Sequence, residues 1–542
     1  MHTSCEPHET LQRSLTNLVN SMWLVAFVLA FVGGCVGTLS PYVASNFGVH
    51  SLTALTGVLS NLIAGIWKLP YAKMMNIWGR PQALVIGVAA ITVGCVMMAG
   101  CKNIQTYCAA QVFFYLGSNS INFSITVFVA DTSKLKNRGF FLGYAASPWL
   151  ITTWIYGFAV DGILPTMGGV GFGWGFGIFA IVIPITCLPL IYMFYVNENK
   201  ARKQGLFEPN PSRGTAMQTA VYYLKEFDVV GLLILATGLA LFLLAFNIYS
   251  YQAKQWESPL ILCFLVIGFL LAFVAFPAWE KFGATVTFVP WELLKNRTVI
   301  FTYVMAGALY IGWYSWNSYF YSLLVVFYNQ TVVHATYVSN IYTMGSCFSS
   351  LVFGVALRYY GKLKVYSLAW GVPLTVLGCG IMLNFLKLDG EGQIGYVAMG
   401  FIFISLGGGV LVISEQTTLM AVSKQQDFPA LLACEAMIIA IGSAIGSTIA
   451  GAIWTGVFPE RLMANLPQEA MANFTEIYGV IDTQSSYPWG SPTRDGINLS
   501  YAQTQKYLLI TGTAIYATMF VSVALWENVD VRKMKQRTFG LL

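Results

Sequence analysis

Charge is what this 542-residue chain has least of: Asp, Glu, Lys and Arg make up 10% of it, against 56% hydrophobic residues. Soluble domains carry about 25% charged residues. The composition therefore excludes a soluble multidomain enzyme and implies a polytopic membrane protein. Histidine is nearly absent, and His2, His8, His50 and His334 show no metal-ligand spacing. The ten cysteines are scattered without a C-x-x-C pair, which argues against zinc or dithiol chemistry. Cys101 and Cys108 flank a short loop expected outside, where a disulfide or two free thiols are both compatible with the compartment. Residues 1–17 are polar and lack a signal-peptide pattern. No nucleophile–base pair or nucleotide loop is present, so neither an enzyme nor a cofactor is expected. The net charge of +6 bears on membrane orientation, not on nucleic acid.

Hydrophobic length is abundant. Windows of about 19 residues give about fourteen spans, near 18–46, 51–75, 82–100, 105–130, 139–160, 174–197, 229–249, 258–279, 298–327, 335–357, 365–386, 394–419, 429–457 and 507–526. An even number puts both termini on one side. Lys73 with Arg80, Lys134 with Lys136 and Arg138, Lys200 with Arg202 and Lys203, and Arg358 with Lys362 and Lys364 all fall on that side. Arg532, Lys533, Lys535 and Arg537 follow in the tail. Three of the opposite loops hold Lys102, Lys254 with Glu257, and Lys387 with Asp389 and Glu391. The positive-inside rule places both termini in the cytoplasm. The sequons at Asn329, Asn473 and Asn498 then lie outside as glycosylation candidates.

An internal repeat organises the chain. The second span leaves the membrane through Ala72, Asn76, Gly79 and Arg80, and the tenth through Gly354, Arg358, Gly361 and Lys362. A small residue, a polar residue four later, glycine at seven and a base at eight recur at equivalent exits. Secondary transporters are often built from repeated halves with the substrate between them. The expected layout is a tail 1–17, a six-helix bundle 18–197, a linker with two additional helices 198–297, a second six-helix bundle 298–526 that includes an outer loop 458–506, and a tail 527–542. Glycine permits the tight turn. Arg80, Arg358 and Lys362, with Asp131 and Arg138 on the same side, form a candidate cytoplasmic gate or, alternatively, ordinary topology charge.

Ionisable residues inside spans are few. The stretch 429–457 carries Glu435 in its first turns, then small residues at Ala440, Gly442, Ser443, Gly446, Ser447 and Gly451. Small residues at helical spacing let another helix approach closely. A carboxylate within a span costs roughly 2.5–3.5 kcal/mol on insertion scales, so it should face protein or water. Glu435 is either a proton-coupling acid on a moving helix or a neutral structural acid. Glu415, near the inner end of the twelfth span, is the second coupling candidate. Lys68, before Pro70, either snorkels to the interface or points into a substrate path. The ninth span holds Trp313, Trp316, Asn317 and Tyr319, and the tenth Asn340 and Tyr342. These suit either an interfacial belt or the wall of a path for a large, partly apolar ligand. In the outer loop Pro488, Gly490 and Pro492 set turns, and Ser491 or Thr493 is placed to cap a helix running into the last span.

Taken together, LPYAKMMNIWGR (69–80), DTSKLKNR (131–138), FDVVGL (227–232), LLKNRT (293–298), SNIYTMGSCF (339–348) and the loop 487–505 resemble the fungal siderophore-iron transporter family of the major facilitator superfamily. The resemblance implies an all-α membrane protein of about 14 helices, with two pseudo-symmetric six-helix bundles and two inserted helices. It implies a proton-coupled importer of ferric siderophores, usually hydroxamates, whose partners are the chelate, protons and the lipid bilayer. It implies no resident metal, a monomer, and a plasma or endosomal/vacuolar membrane location. By the same resemblance Tyr487, Pro488, Gly490, Arg494, Asn498 and Gln505 become outer-loop candidates. Similar sequences carry Asp where Asn76 stands, and an acid in the first span, where residues 32–38 read VGGCVGT. Haem or glutathione transport, export of a metabolite or drug, and a non-transporting chelate receptor are the alternatives.

Overall fold

The computed structural model describes residues 6–46, 52–163, 170–203, 216–249, 252, 254–285, 291–386, 394–479 and 481–533. The loop charges Lys387, Asp389 and Glu391 and the tail bases Lys535 and Arg537 lie outside these residues. The chain runs α1 (Glu6–Asn46), α2 (Leu52–Ile77), α3 (Arg80–Ala99), α4 (Ile104–Thr132), α5 (Leu135–Ala146), α6 (Trp149–Ile163), α7 (Phe172–Lys203), α8 (Ala216–Glu226), α9 (Val229–Ile248), α10 (Pro259–Phe269) and α11 (Phe276–Phe282). It continues with α12 (Trp291–Leu294), α13 (Arg297–Asn317), α14 (Phe320–Val326), α15 (Val332–Tyr360), α16 (Leu363–Tyr366), α17 (Val372–Phe385), α18 (Ile394–Ala421), α19 (Phe428–Asn465), α20 (Phe474–Gly479), α21 (Ile481–Ser486) and α22 (Pro492–Ala524). Among the described residues each expected span lies mainly on helix. Among the described residues, 11 helical stretches are long and apolar enough to cross a membrane, and Val229–Ala245 is a shorter apolar helix.

Proline shapes the irregular spans because it has no N–H to give the preceding turn. The fifth expected span is broken between α5 and α6 at Ser147–Pro148. Wide π turns over Leu270–Ala275 and Ser367–Gly371 precede Pro277 and Pro373, respectively.

The packing repeats. In the first half α3 packs on α4 and α7, α1 on α6 and α7, and α2 on α4. In the second half α17 packs on α18 and α22, α13 on α19 and α22, and α15 on α18. The halves meet crosswise, α5 on α15 and α2 on α19, a pattern that maps onto itself when the halves are exchanged. Contacts there are close: a Cβ on Gly143 would sit 2.9 Å from the Ser350 carbonyl oxygen. On α19 the small residues serve two neighbours. Ala440 faces Gly65 of α2, while Gly442 and Gly446 face Gly307 and Ile311 of α13.

The inserted pair, α9 with α10 and α11, touches both halves along the α2–α19 seam. Lys73 of α2 donates to the Glu226 carbonyl at 3.0 Å, and Trp78 packs edge-on against Tyr223 and Phe227. At the other end Tyr249 and Thr455 of α19 share a hydrogen bond.

Candidate functional site

The end of the bundle that carries the basic loops is fastened by the residues of the expected gate. Gly79 and Gly361, the paired glycines of the repeat, both adopt positive φ, 109° and 72°, a region that a Cβ disfavours. Arg80 Nε meets Asp131 Oδ2 at 3.0 Å, and its Nη1 donates to Asn76 Oδ1 at 3.0 Å. The amide oxygen at 76 thus accepts from the guanidinium that an Asp would pair with. Gln425, from the second half, donates to Asp131 Oδ1 at 3.3 Å. Arg138 is buried and gives Nη2 to the carbonyls of Ala130 and Ser133 at 2.7 and 3.1 Å, with its guanidinium over the Phe428 ring. In the second half Lys362 forms an antiparallel bridge with Asp530, and the Val531 N–H donates to the Gly361 carbonyl at 3.0 Å. Arg532 grips Asp530 at 2.8 Å, and this guanidinium holds the Asp530 carboxyl at about 2, below its ordinary 3.8. Arg358 stands exposed on the α15 face.

Deeper in, the scarce ionisable residues converge. Lys68, Glu415 and Glu435 sit 6 to 9 residues from the basic ends of α2, α18 and α19, roughly 9–14 Å along the helix axes. Lys68 and Glu435 are electrostatic neighbours across the α2–α19 seam, and Glu435 is in turn a neighbour of Glu415. Lys68 therefore points inward rather than snorkelling to an interface. Glu415 is fully buried with neither carboxylate oxygen hydrogen-bonded, and Glu435 is buried with Oε1 unpartnered. Tyr310 adjoins both acids and Tyr342. Tyr115 of the first half adjoins Tyr314, which bonds Ser443. Tyr342 is a candidate already read from the sequence, whereas Tyr115 is not, and only its place within an apolar span distinguishes it there.

The aromatic stretch packs largely on itself. Trp313 lies 3.9 Å from Tyr342 between ring centroids and stacks on Phe401. Trp316 corrects the expectation of a path-lining residue: it is fully buried against Phe320 and Phe401, behind the wall. Asn317 ends α13, and Tyr319 stacks on Trp454 at 4.1 Å. Asn340 donates to the Tyr156 hydroxyl at 3.0 Å, joining the halves on the side away from the basic loops.

The outer connection 458–506 also differs from expectation, because most of it is helix. α19 runs on to Asn465 and α22 begins at Pro492, with Ser491 Oγ accepting from the Arg494 N–H at 3.3 Å. Arg494 is buried and donates to the carbonyls of Gln484 and Val326 at 2.6 and 2.7 Å. It bolts the connection to α14 instead of meeting solvent. Tyr487, Pro488 and Gly490 form the rim, where Gly490 takes φ 79°. Gln505 donates to the Trp316 carbonyl at 2.9 Å, while Gln505 Oε1 and Asn498 Oδ1 are buried without partners. Asn498 is thereby corrected as a glycosylation candidate, since a buried helical side chain has no room for an oligosaccharide. Asn329 and Asn473 are exposed. No disulfide joins Cys101 to Cys108.

Comparison with known proteins agrees with this architecture. The Major Facilitator Superfamily model matches residues 22–387. MFS siderochrome iron transporter 1 of Ajellomyces capsulatus is 45% identical over 517 residues, which cover 95% of this chain and 87% of that protein. Siderochrome iron transporter 2 of Aspergillus fumigatus is 37% identical over 95% of this chain and 84% of its own length. Siderophore iron transporter 1 of Schizosaccharomyces pombe is 30% identical over 96% of this chain and 83% of its own. A bacterial homologue of the iron transporter ferroportin superposes with a TM-score of 0.57 at 10% identity, covering 94% of this chain and 99% of that one. The proton:xylose symporter XylE superposes with a TM-score of 0.52 at 11% identity, covering 95% and 100%. The two structural likenesses speak to the fold alone. The sequence relatives are transporters rather than enzymes. With residues 22–387 matched by the superfamily model and near full-length relatives at 30–45% identity, the chain belongs to the fungal siderophore-iron transporter family of the major facilitator superfamily.

Proposed function

We propose that this protein imports ferric siderophore chelates, of the hydroxamate class, by proton-coupled alternating access. The halves 18–197 and 298–526 rock against each other, the basic end is cytoplasmic, and the inserted pair rides on the α2–α19 seam. The Lys68–Glu435–Glu415 cluster is the observation that carries this reading. With all three groups ionised the cluster holds one net negative charge, and a single proton makes it neutral. Closing a water-excluded seam over unpaired charge costs several kcal/mol, so closure is tied to loading that proton. Glu435 exchanges the proton as the seam opens to either side. Glu415 lies one acid further from Lys68 and sets how readily the second charge is tolerated.

The names of the relatives support the cargo. The chelator fills the iron coordination sphere, so no metal ligand is asked of the protein. The Trp313–Tyr342 face offers a flat apolar surface with a hydroxyl beside the cluster, suited to a bulky chelate. Asn340 and Tyr156 close the opposite end, and the rim at Tyr487, Pro488 and Gly490 lies over the entrance. The protein acts as a monomer in a plasma or endosomal/vacuolar membrane, with both termini cytoplasmic.

The test is uptake of labelled iron in cells without their own importers, across a siderophore panel, with and without an uncoupler. Uptake of at least one hydroxamate chelate, abolished by the uncoupler, is expected. Absence of uptake with every chelate would contradict import, and toxin resistance without uptake would point to export.

A further inference from the structure

A cavity of about 360 Å³ opens at the basic end, walled by α1, α4 and α5 of the first half and edged by Arg358 of the second. Lys134 and Lys136, at the start of α5, and Arg358, near the end of α15, stand around it. Its floor is apolar and aromatic, made by Met22 and Trp23 of α1 and by Phe141 and Tyr144 of α5. No acid lines it among the described residues. Other bases at this end differ in this respect, since Arg80 has Asp131 and Arg532 has Asp530.

The arrangement sets like charges from opposite halves against each other at the end where α5 and α15 press together. Their repulsion favours separation unless an anion sits between them. A free phosphate would neutralise the bases but gain nothing from the tryptophan and phenylalanine beneath. A phospholipid gains from both, and the cavity lies at the depth where basic loops meet membrane helices, the level of headgroups. The leaflet beside basic loops is also the anionic one.

We propose that this cavity binds an anionic phospholipid of the adjoining leaflet. The phosphate sits between Lys134, Lys136 and Arg358, and the start of the acyl chains lies over Met22, Trp23 and Phe141. Because the three bases come from both halves, the lipid ties them together and favours the arrangement shut at the basic end. The inference concerns a lipid site and does not depend on which cargo is carried.

Phosphatidylserine retention by the detergent-solubilised full chain, followed by native mass spectrometry, tests it. Wild type should retain phosphatidylserine in preference to phosphatidylcholine. Changing Lys134→Gln, Lys136→Gln and Arg358→Gln together should weaken retention about a hundredfold, from roughly fivefold per base at an anionic surface. Lys200→Gln with Lys203→Gln, at exposed bases of the same end outside the cavity, should leave retention unchanged. If the triple variant shifts the thermal midpoint, Arg358→Gln alone should still weaken retention about fivefold. Equal loss in the Lys200 and Lys203 variant would mean diffuse surface charge and overturn the proposal. Full retention by the triple variant, or displacement of the lipid by equimolar inorganic phosphate, would overturn it as well.

Discussion

In the first half the loop Gly79–Arg80 reaches Asp131 at the end of α4. In the second half the equivalent loop Gly361–Lys362 meets no acid in the last turn of α18, Thr418 to Ala421, and instead forms a backbone bridge with Asp530 beyond α22, whose carboxylate is held by Arg532. Both loops share the glycine that sets the turn, so the backbone device is common while its partner is not. The difference has a mechanical meaning. Asp131 also accepts from Gln425 across the seam, so its bonds must change when the halves part. Lys362 belongs to the second half, and Asp530 and Arg532 lie in the tail fastened to it, with no bond of theirs crossing to the first half among those described. On this geometry we propose that the first loop works as a gate element and the second as a staple.

Breaking the gate should have the largest effect. Asp131→Asn leaves Arg80 without its ionised partner and weakens the Gln425 link. Charge-assisted hydrogen bonds are worth roughly 1.5–3 kcal/mol, so chelate uptake at equal surface expression should fall about tenfold or more. Uptake within twofold of wild type would reduce Asp131 to topology charge.

Removing the staple should cost stability rather than transport. Truncation before Val529 exposes the pocket that Val529 and Val531 fill, both buried. Burying each valine is worth about 1.5–3 kcal/mol, so the thermal midpoint should drop by several degrees while uptake per folded molecule stays nearly constant. A tenfold loss of uptake at an unchanged midpoint would make the second loop a gate like the first.

The smallest effect is the pH response of the staple. Arg532 holds the folded Asp530 carboxyl at about 2, below its ordinary 3.8. A depressed carboxyl adds stability that is fully present above the ordinary value and lost as pH falls toward 2. The midpoint difference between wild type and Asp530→Asn should therefore be flat from pH 8 to 5 and shrink only in stronger acid. Shrinkage near neutral pH would mean that the pair does not form.

What could be read from residue order follows from how local each feature is. The repeat spacing announced two tight turns, and Gly79 and Gly361 take the positive φ such turns use. Small residues on 429–457 announced close helix contacts, which Gly65, Gly307 and Ile311 provide. Ser491 and Thr493 are both placed to cap the helix running into the last span, and Ser491 is the one that does so. The helical content of 458–506 was not legible, since hydropathy windows see the apolar core of a span and miss its polar continuation. The staple was hidden as well: Asp530 is one of several charges in a polar tail, and only the folded chain puts it beside Lys362. The choice between inward and snorkelling orientations of Lys68 turned on Glu435, which lies in the other half. Asn340 and Tyr156 are likewise 184 positions apart.

The most direct test of the central claim is proton movement driven by the cargo. In proteoliposomes with a pH-sensitive dye, adding a transported ferric siderophore to wild type should carry protons in with the chelate. Glu435→Gln, which removes the exchangeable proton and keeps the shape, should bind chelate without that flux. Undiminished proton flux in the variant would contradict the account.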